Sequence, residues 1–297
     1  MNESPSSAAP APQNERRDLL QRMCALAAIG MAGTAATIAG CGGGGSSGGV
    51  SFAATSGTGS ASGSSSGSTS PPPSASPPAS APAAPALGAH GLSFDRQDTS
   101  GASVSVSGLS TSASGSSLLV CVGRGNQAAS APPTDNAVNA FTQLDTAHAY
   151  TLYPTSGTAL YACAKARGMA GHTVTVAKPD PTDELTLTVV EITGGGLVRD
   201  VKWREVLSGQ PLTSPSVTTS GAALLVAWWW GDANANGDKT AVPDSGFTVI
   251  DSVLAAGALV QGAVAVKQVA AAGTYNVTWT STPQQGAQLW LVAVQAG

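Results

Sequence analysis

The chain has 297 residues, 36 Gly, 19 Pro and only 10% charged side chains, with a formal net charge of −4 at pH 7. After residue 40 it holds 10 Lys/Arg against 14 Asp/Glu and no basic run; a phosphate-tracking surface needs clustered cations, so no nucleic-acid partner is expected. Residues 1–90 hold almost no large apolar side chains after the N-terminal segment, which assigns the core to 91–297, about 200 residues and enough for one all-β sandwich or barrel.

Residues 1–40 read as an export signal. Arg16-Arg17-Asp18-Leu19-Leu20-Gln21 supplies a positive start, and Met23 to Gly40 is apolar but diluted by Gly30, Gly33, Thr34 and Thr37. That is weaker than the roughly 20 predominantly apolar residues of a permanent span and suits a signal sequence. The segment ends in Ile38-Ala39-Gly40-Cys41, which resembles the bacterial lipobox. The resemblance implies a lipoprotein precursor with Cys41 lipidated, as its membrane anchor. The arginine pair resembles a twin-arginine signal, although Asn14-Glu15 and Asp18 depart from the fuller pattern. Gly42 in place of Asp implies an outer-membrane destination. The alternatives are an ordinary signal cleaved elsewhere and a membrane-anchoring helix.

Residues 41–90 are Gly, Ser, Ala and Pro with little else. Such a composition buries too little apolar surface to offset the entropy of ordering it, so it is expected to be a disordered tether, stiffer where proline accumulates. Gly63-Ser64-Ser65-Ser66-Gly67 matches a nucleophile-elbow pattern, but no strand precedes it and no helix follows, so the match is one of chance.

Beyond 91, short runs rich in Val, Thr, Leu and Ala are broken by Gly, Pro, Asn and Asp every eight to twelve residues, the pattern of an antiparallel sandwich. Strands are predicted near 103–107, 117–123, 139–145, 159–165, 172–177 and 184–193. The second set falls near 215–219, 222–230, 246–251, 259–267, 274–280 and 287–294. Val201 to Leu207 is read as one helical turn between the sets. The sets repeat. At an offset of 106, Ser117-Leu118-Leu119-Val120-Cys121 answers Ala223-Leu224-Leu225-Val226-Ala227, and Phe141-Thr142 answers Phe247-Thr248. Near 102, Leu187-Thr188-Val189-Val190-Glu191-Ile192 answers Leu289-Trp290-Leu291-Val292-Ala293-Val294. A fixed period means one supersecondary unit made twice. The expected fold is all-β: a single antiparallel, jelly-roll-like β-sandwich built from two repeated halves, about 103–193 and 215–294, whose apolar faces cover each other. In pattern alone this stretch is similar to Ig-like and jelly-roll modules of bacterial surface and phage-tail-type proteins, which implies adhesion or display and transfers no functional residue.

Chemistry has few candidates. In Trp228-Trp229-Trp230, alternation puts Trp228 and Trp230 on one face with Leu224 and Val226, and Trp229 on the other. Trp228 and Trp230 are candidates for stacking on a sugar ring or apolar ligand, against the plainer reading of core packing with a strand-end cap. Asp232, Asn234, Asn236 and Asp238 resemble the first half of a calcium loop, with Asp244 as a further oxygen donor; Pro243 stands where an EF-hand has Glu. The alternative to Ca2+ is a turn made of good turn-formers. Glu191 shares a face with Leu185, Leu187 and Val189, and a buried carboxylate needs a partner; Arg124 is the candidate, with an outward bulge as the alternative. Cys121 and Cys163 are a possible disulfide in an exported protein or simply small buried hydrophobes. Nothing has zinc-ligand spacing, and a Ser/His/Asp triad has no local support. The expected function is a non-enzymatic envelope lipoprotein displaying a sandwich that binds carbohydrate or another surface polymer. The alternatives are a structural envelope protein acting through protein contacts and, less favoured, a hydrolase.

Overall fold

The structure, a computed structural model, describes residues 84–96, 101–126, 131–178, 180, 183–209, 211–232, 239–254 and 260–297, all within the unit Ser80–Gly297. The first repeat comprises β1 (Ala86–Asp95), β2 (Ser103–Ser110), β3 (Ser116–Arg124), β4 (Thr134–Asp135), β5 (Thr142–Ala149), β6 (Gly157–Ala166), β7 (Ala170–Ala177) and β8 (Leu185–Thr193). The second comprises β9 (Gly196–Val206), β10 (Leu212–Thr213), β11 (Val217–Thr219), β12 (Ala223–Gly231), β13 (Thr240–Pro243), β14 (Thr248–Val253), β15 (Gly262–Val269), β16 (Gly273–Tyr275), β17 (Thr278–Thr282) and β18 (Ala287–Ala296). Every strand pairing is antiparallel. No helix occurs among the described residues.

The repeat is complete at the level of topology. One large sheet runs β1-β8-β3-β6-β5 and the other β9-β18-β12-β15-β14, so each strand has its counterpart at the same place. The small sheet β2-β7-β4 is likewise matched by β10-β17-β13 together with β11-β16. Within each half, the interleaving of 1-8-3-6 with 2-7-4 follows a jelly roll. The two large sheets pack face to face, giving the sandwich of repeated halves expected from the sequence. Each half adds its small sheet on the outer side, so the described residues form four layers around three main cores.

The central core holds Leu119, Cys121, Leu160, Val190 and Ile192 of the first half against Leu224, Val226, Trp228, Trp230, Trp290 and Val292 of the second. The outer core of the first half contains Val120, Val122, Tyr161, Val174 and Leu187. That of the second contains Leu225, Trp229, Phe247, Trp279 and Leu289. A large sheet covered on both faces needs apolar side chains at every position, not every second one. All nine residues of β3 and all nine of β12 are buried, the physical basis of the unbroken apolar runs at 118–122 and 223–230.

Sheet pairing corrects the alignment of the copies by one residue. Leu118 stands opposite Glu191, and Leu225 stands opposite Ala293. With β8 and β18 aligned at 102, β3 and β12 therefore align at 107 rather than 106. In a strand a one-residue slip exchanges the two faces. Cys121, Val122 and Gly123, not Val122, Gly123 and Arg124, are the counterparts of the three tryptophans. The prediction of a helical turn at 201–207 is also corrected. Residues 201–206 belong to β9, an edge strand paired with β18, whose Val198, Val201 and Trp203 pack against the central core. Strand β1 begins at Ala86, inside the stretch assigned to the tether. In β9 the exposed Arg199, Lys202 and Arg204 blur a two-residue period, and in β1 Gly88, His90 and Gly91 interrupt the apolar run, so both escaped the sequence reading.

Contacts between the halves are reciprocal. His90 on β1 meets Asp251 on β14 at 2.7 Å, and His148 on β5 stacks on Trp203 of β9 at 3.7 Å. Since β1 corresponds to β9 and β5 to β14, the arrangement is that of an isologous dimer fused into one chain.

Candidate functional site

Strand direction sorts the connections into two ends. Strands β1, β3, β5, β7, β9, β12, β14 and β17 all run toward one end, so the connections that follow them leave from it. At the other end the residues before Ala86 join this unit, and Gly297 N–H donates to Gly195 O at 3.2 Å. The loop end therefore lies opposite Ala86.

The segment 150–156 is closed on itself by Tyr150 N–H to Ser156 O (2.9 Å) and Ser156 N–H to Tyr153 O (2.8 Å). It is fastened across the halves in two places. The buried Tyr150 hydroxyl donates to the carbonyls of Trp230 and Gly231, both at 3.2 Å. Thr151 donates through its N–H and hydroxyl to the two Glu205 oxygens at 2.8 and 2.6 Å. Held this way, the segment presents Leu152 (49% exposed) and Tyr153 (39%) to solvent, with Leu207 (45%) just past the end of β9, two residues after Glu205. Asp232 lies buried behind the patch. Its N–H donates to Gly286 O at 3.1 Å. The Tyr153 phenol is held above its ordinary range by burial and by the negative charge of Asp232. The result is a rigid rim of aliphatic and phenolic surface beside carboxylates, a composition suited to contact with a macromolecule.

The expected site residues fall out differently. Trp228 and Trp230 are fully buried, which overturns their reading as a ligand platform. Trp228 Nε1–H donates to Thr188 Oγ1 at 2.8 Å inside the central core. The Trp230 indole fills the space above two glycines: a Cβ on Gly123 would come within 2.7 Å of its ring, and one on Gly262 within 2.6 Å. Of the calcium candidates, Asn234, Asn236 and Asp238 lie outside the described residues. Asp244 is carried down β13, about 13 Å from Thr240 at ~3.3 Å per residue, where its Oδ1 accepts the Thr278 N–H at 2.8 Å. Among the described residues no three His, Cys, Asp or Glu converge as a metal site would require. Cys41 also lies outside the described residues, and no described helix is long and apolar enough to cross a membrane.

The proposed Arg124–Glu191 pair is not formed. Arg124 is buried beside Asp183, with Nε 3.8 Å from Oδ2, and donates to Ala177 O at 3.1 Å. Burial lowers the Arg124 pKa, and Asp183 partly offsets this. Glu191 instead accepts Ala89 N–H at 3.0 Å and Ser112 N–H at 2.7 Å. The expected Cys121–Cys163 disulfide is likewise absent: both thiols are free and buried. Cys121 stands opposite Leu160 and Cys163 opposite Leu118, three rungs apart or about 10 Å at ~3.3 Å per residue. That exceeds the reach of a disulfide and puts the sulfurs on opposite faces. Burial raises both thiol pKa values. Dithiothreitol is accordingly expected to leave Tm unchanged, as checked by differential scanning calorimetry; a drop of several degrees would reveal a bridge.

The structure assembles one constellation for which spacing offered no sign. His172 Nε2 lies 2.9 Å from Asp135 Oδ2, and its Nδ1 2.8 Å from Thr111 Oγ1. This has the order of a carboxylate–imidazole–hydroxyl relay, yet His172 is fully buried and Thr111 Oγ1 also accepts the Met169 N–H at 3.0 Å. It fastens the ends of β2, β4 and β7 to one another. Burial pushes the Asp135 pKa up, but hydrogen bonds from Asn139 and His172 outweigh it and hold the carboxyl below its ordinary range.

No family model matches the chain, and neither the curated proteins nor the solved structures contain a match to it.

Proposed function

We propose that this protein is a cell-envelope lipoprotein, anchored at Cys41 in the outer membrane, whose duplicated sandwich binds a macromolecule outside the lipid layer through its loop end. One observation carries the reading. The exposed Leu152, Tyr153 and Leu207 are gathered on a hydrogen-bonded rim at the end of the fold opposite Ala86, through which the preceding residues join it. A domain on a leash is most effective as a binder when its contact surface faces away from the attachment.

The ligand class proposed is carbohydrate or another surface polymer, with Tyr153 taking the stacking part first assigned to Trp230 and with Glu205 nearby as an acceptor. The other reading is a structural envelope protein working through protein contacts, favoured by the aliphatic share of the same rim. Full-length protein should adhere to whole cells or to immobilised envelope polysaccharide. The combined change Leu152→Asp and Leu207→Asp should cut that adhesion at least tenfold. Surface substitutions of this kind alter stability by only about 0.5 kcal/mol, so Tm should hold. Adhesion unaffected by both changes would sink the proposal. Adhesion to cells without binding to any isolated polysaccharide would favour protein contacts.

A further inference from the structure

Lys178 Nζ lies 2.7 Å from Asp95 Oδ2, with the lysine side chain wholly shielded from solvent and the aspartate 13% exposed. The pair links two sheets: Asp95 ends β1 of the large sheet, and Lys178 directly follows β7 of the small one. Both residues are held by their backbones. Lys178 N–H donates to Ala102 O at 2.8 Å, and Asp95 stands in register with Leu185 of β8. Arg124 steadies the same corner through its bond to Ala177 O.

We propose that Lys178 and Asp95 condense to an intramolecular amide. A proton passes from the ammonium to the carboxylate, which frees the nitrogen lone pair; the amine nitrogen then bonds to the aspartate Cγ and one Cγ–O bond breaks. In all, two protons pass from the ammonium to the departing oxygen, which leaves as water. An ammonium and a carboxylate are thereby replaced by a neutral amide, with no oxidant, reductant or further reactant. Two physical terms favour the step. Holding the reacting groups in contact replaces a bimolecular encounter by a unimolecular one, with effective molarities of roughly 10⁵ M or more in well-aligned cases. Burying an ion pair costs desolvation that Coulomb attraction only partly repays, and condensation removes both charges. Shielding of the lysine also keeps hydrolytic water from the product.

The bond has a mechanical consequence. The residues before Ala86 join the fold through β1, and β1 is an edge strand held by its pairing with β8. A pull on that end opens the ladder from Ala86 upward, one rung at a time. An amide at Asp95 halts it at the far end of the strand.

The test is mass spectrometry of a digest of the full chain purified from an exporting host, together with the Lys178→Arg variant, which keeps the positive charge. A branched peptide containing Asp95 and Lys178, lighter than its two parts by one water, is expected in place of most of the linear forms. The variant should yield the linear peptide containing Asp95 at full mass. Lys178 precedes Pro179, so trypsin spares this bond either way, and the readout is mass and fragmentation. Linear peptides at full mass from the unaltered protein overturn the proposal without reference to how any variant folds.

Discussion

Trp230→Ala is expected to lower the stability of the folded domain by about 3–5 kcal/mol, the usual cost of emptying a large aromatic site in a core. A domain of this kind has only about 5–15 kcal/mol in all, so a loss of this size removes a large fraction of it and should lower the urea midpoint markedly. The reason lies in the packing of the halves. Trp230 lies in the central core with Leu119, Cys121, Leu160 and Val264, and its ring occupies the space that Gly123 and Gly262 leave open. The glycine on the facing half makes the fit: a Cβ on Gly123 would meet both the ring and Val260. The sheets have nothing else of that size to close the gap, so a cavity remains where the halves meet. Urea unfolding monitored by tryptophan fluorescence checks this. An unchanged midpoint in the variant would mean that the indole does not join the halves.

The second large effect is expected at Glu191. Its carboxylate is buried at the edge of the first half's outer core. There it accepts the N–H of Ala89, within the bulge that shifts the β1–β8 register between Leu87 and His90, and the N–H of Ser112 beyond β2. Gly88 is required in that bulge, because a Cβ there would lie 2.5 Å from Glu191 Oε2. Hydrogen bonds to a charged group are worth roughly 1.5–3 kcal/mol each. After allowance for the desolvation that is relieved, Glu191→Ala should cost about 2–4 kcal/mol, and Glu191→Gln less, since one acceptor oxygen survives.

The same site has a pH signature. Burial pushes the Glu191 pKa up, but the backbone bonds from Ala89 and Ser112 outweigh this and hold it below the ordinary glutamate value. A carboxyl with a depressed folded-state pKa contributes stability that is full above its unfolded value and is lost as pH falls through the folded one. Asp135, Asp145 and Asp200 are depressed as well and act with the same sign. The protein should therefore lose stability progressively in acid below the ordinary carboxylate range. Glu191→Gln should flatten part of that slope; chemical unfolding at a series of pH values measures it. A variant with the unaltered slope would show that Glu191 is not one of the groups responsible.

Much of the fold was legible in the residues, and little of the site was. Leu118 to Val122 and Leu224 to Trp230 read as strands of one repeated unit because local apolar density and β-propensity are carried by the residues themselves. The alternation in Trp228-Trp229-Trp230 correctly separated Trp228 and Trp230 from Trp229. What these faces look onto is a different matter. An indole on a strand reads the same whether it meets solvent or a second sheet, and Gly123, over 100 residues away in the chain, decides which. Arg124 and Glu191 illustrate the same limit. Each was rightly seen as a charge directed into the fold, but partnership depends on which strand ends converge, and those brought Asp183 to one and two backbone amides to the other. The exposed rim at Leu152, Tyr153 and Leu207 left no mark in the sequence, because each is an ordinary apolar residue in a loop until strand direction gathers them at one end. Composition and periodicity are short-range and set the all-β architecture and its duplication. Burial and pairing are long-range and were settled only when the copies closed on each other.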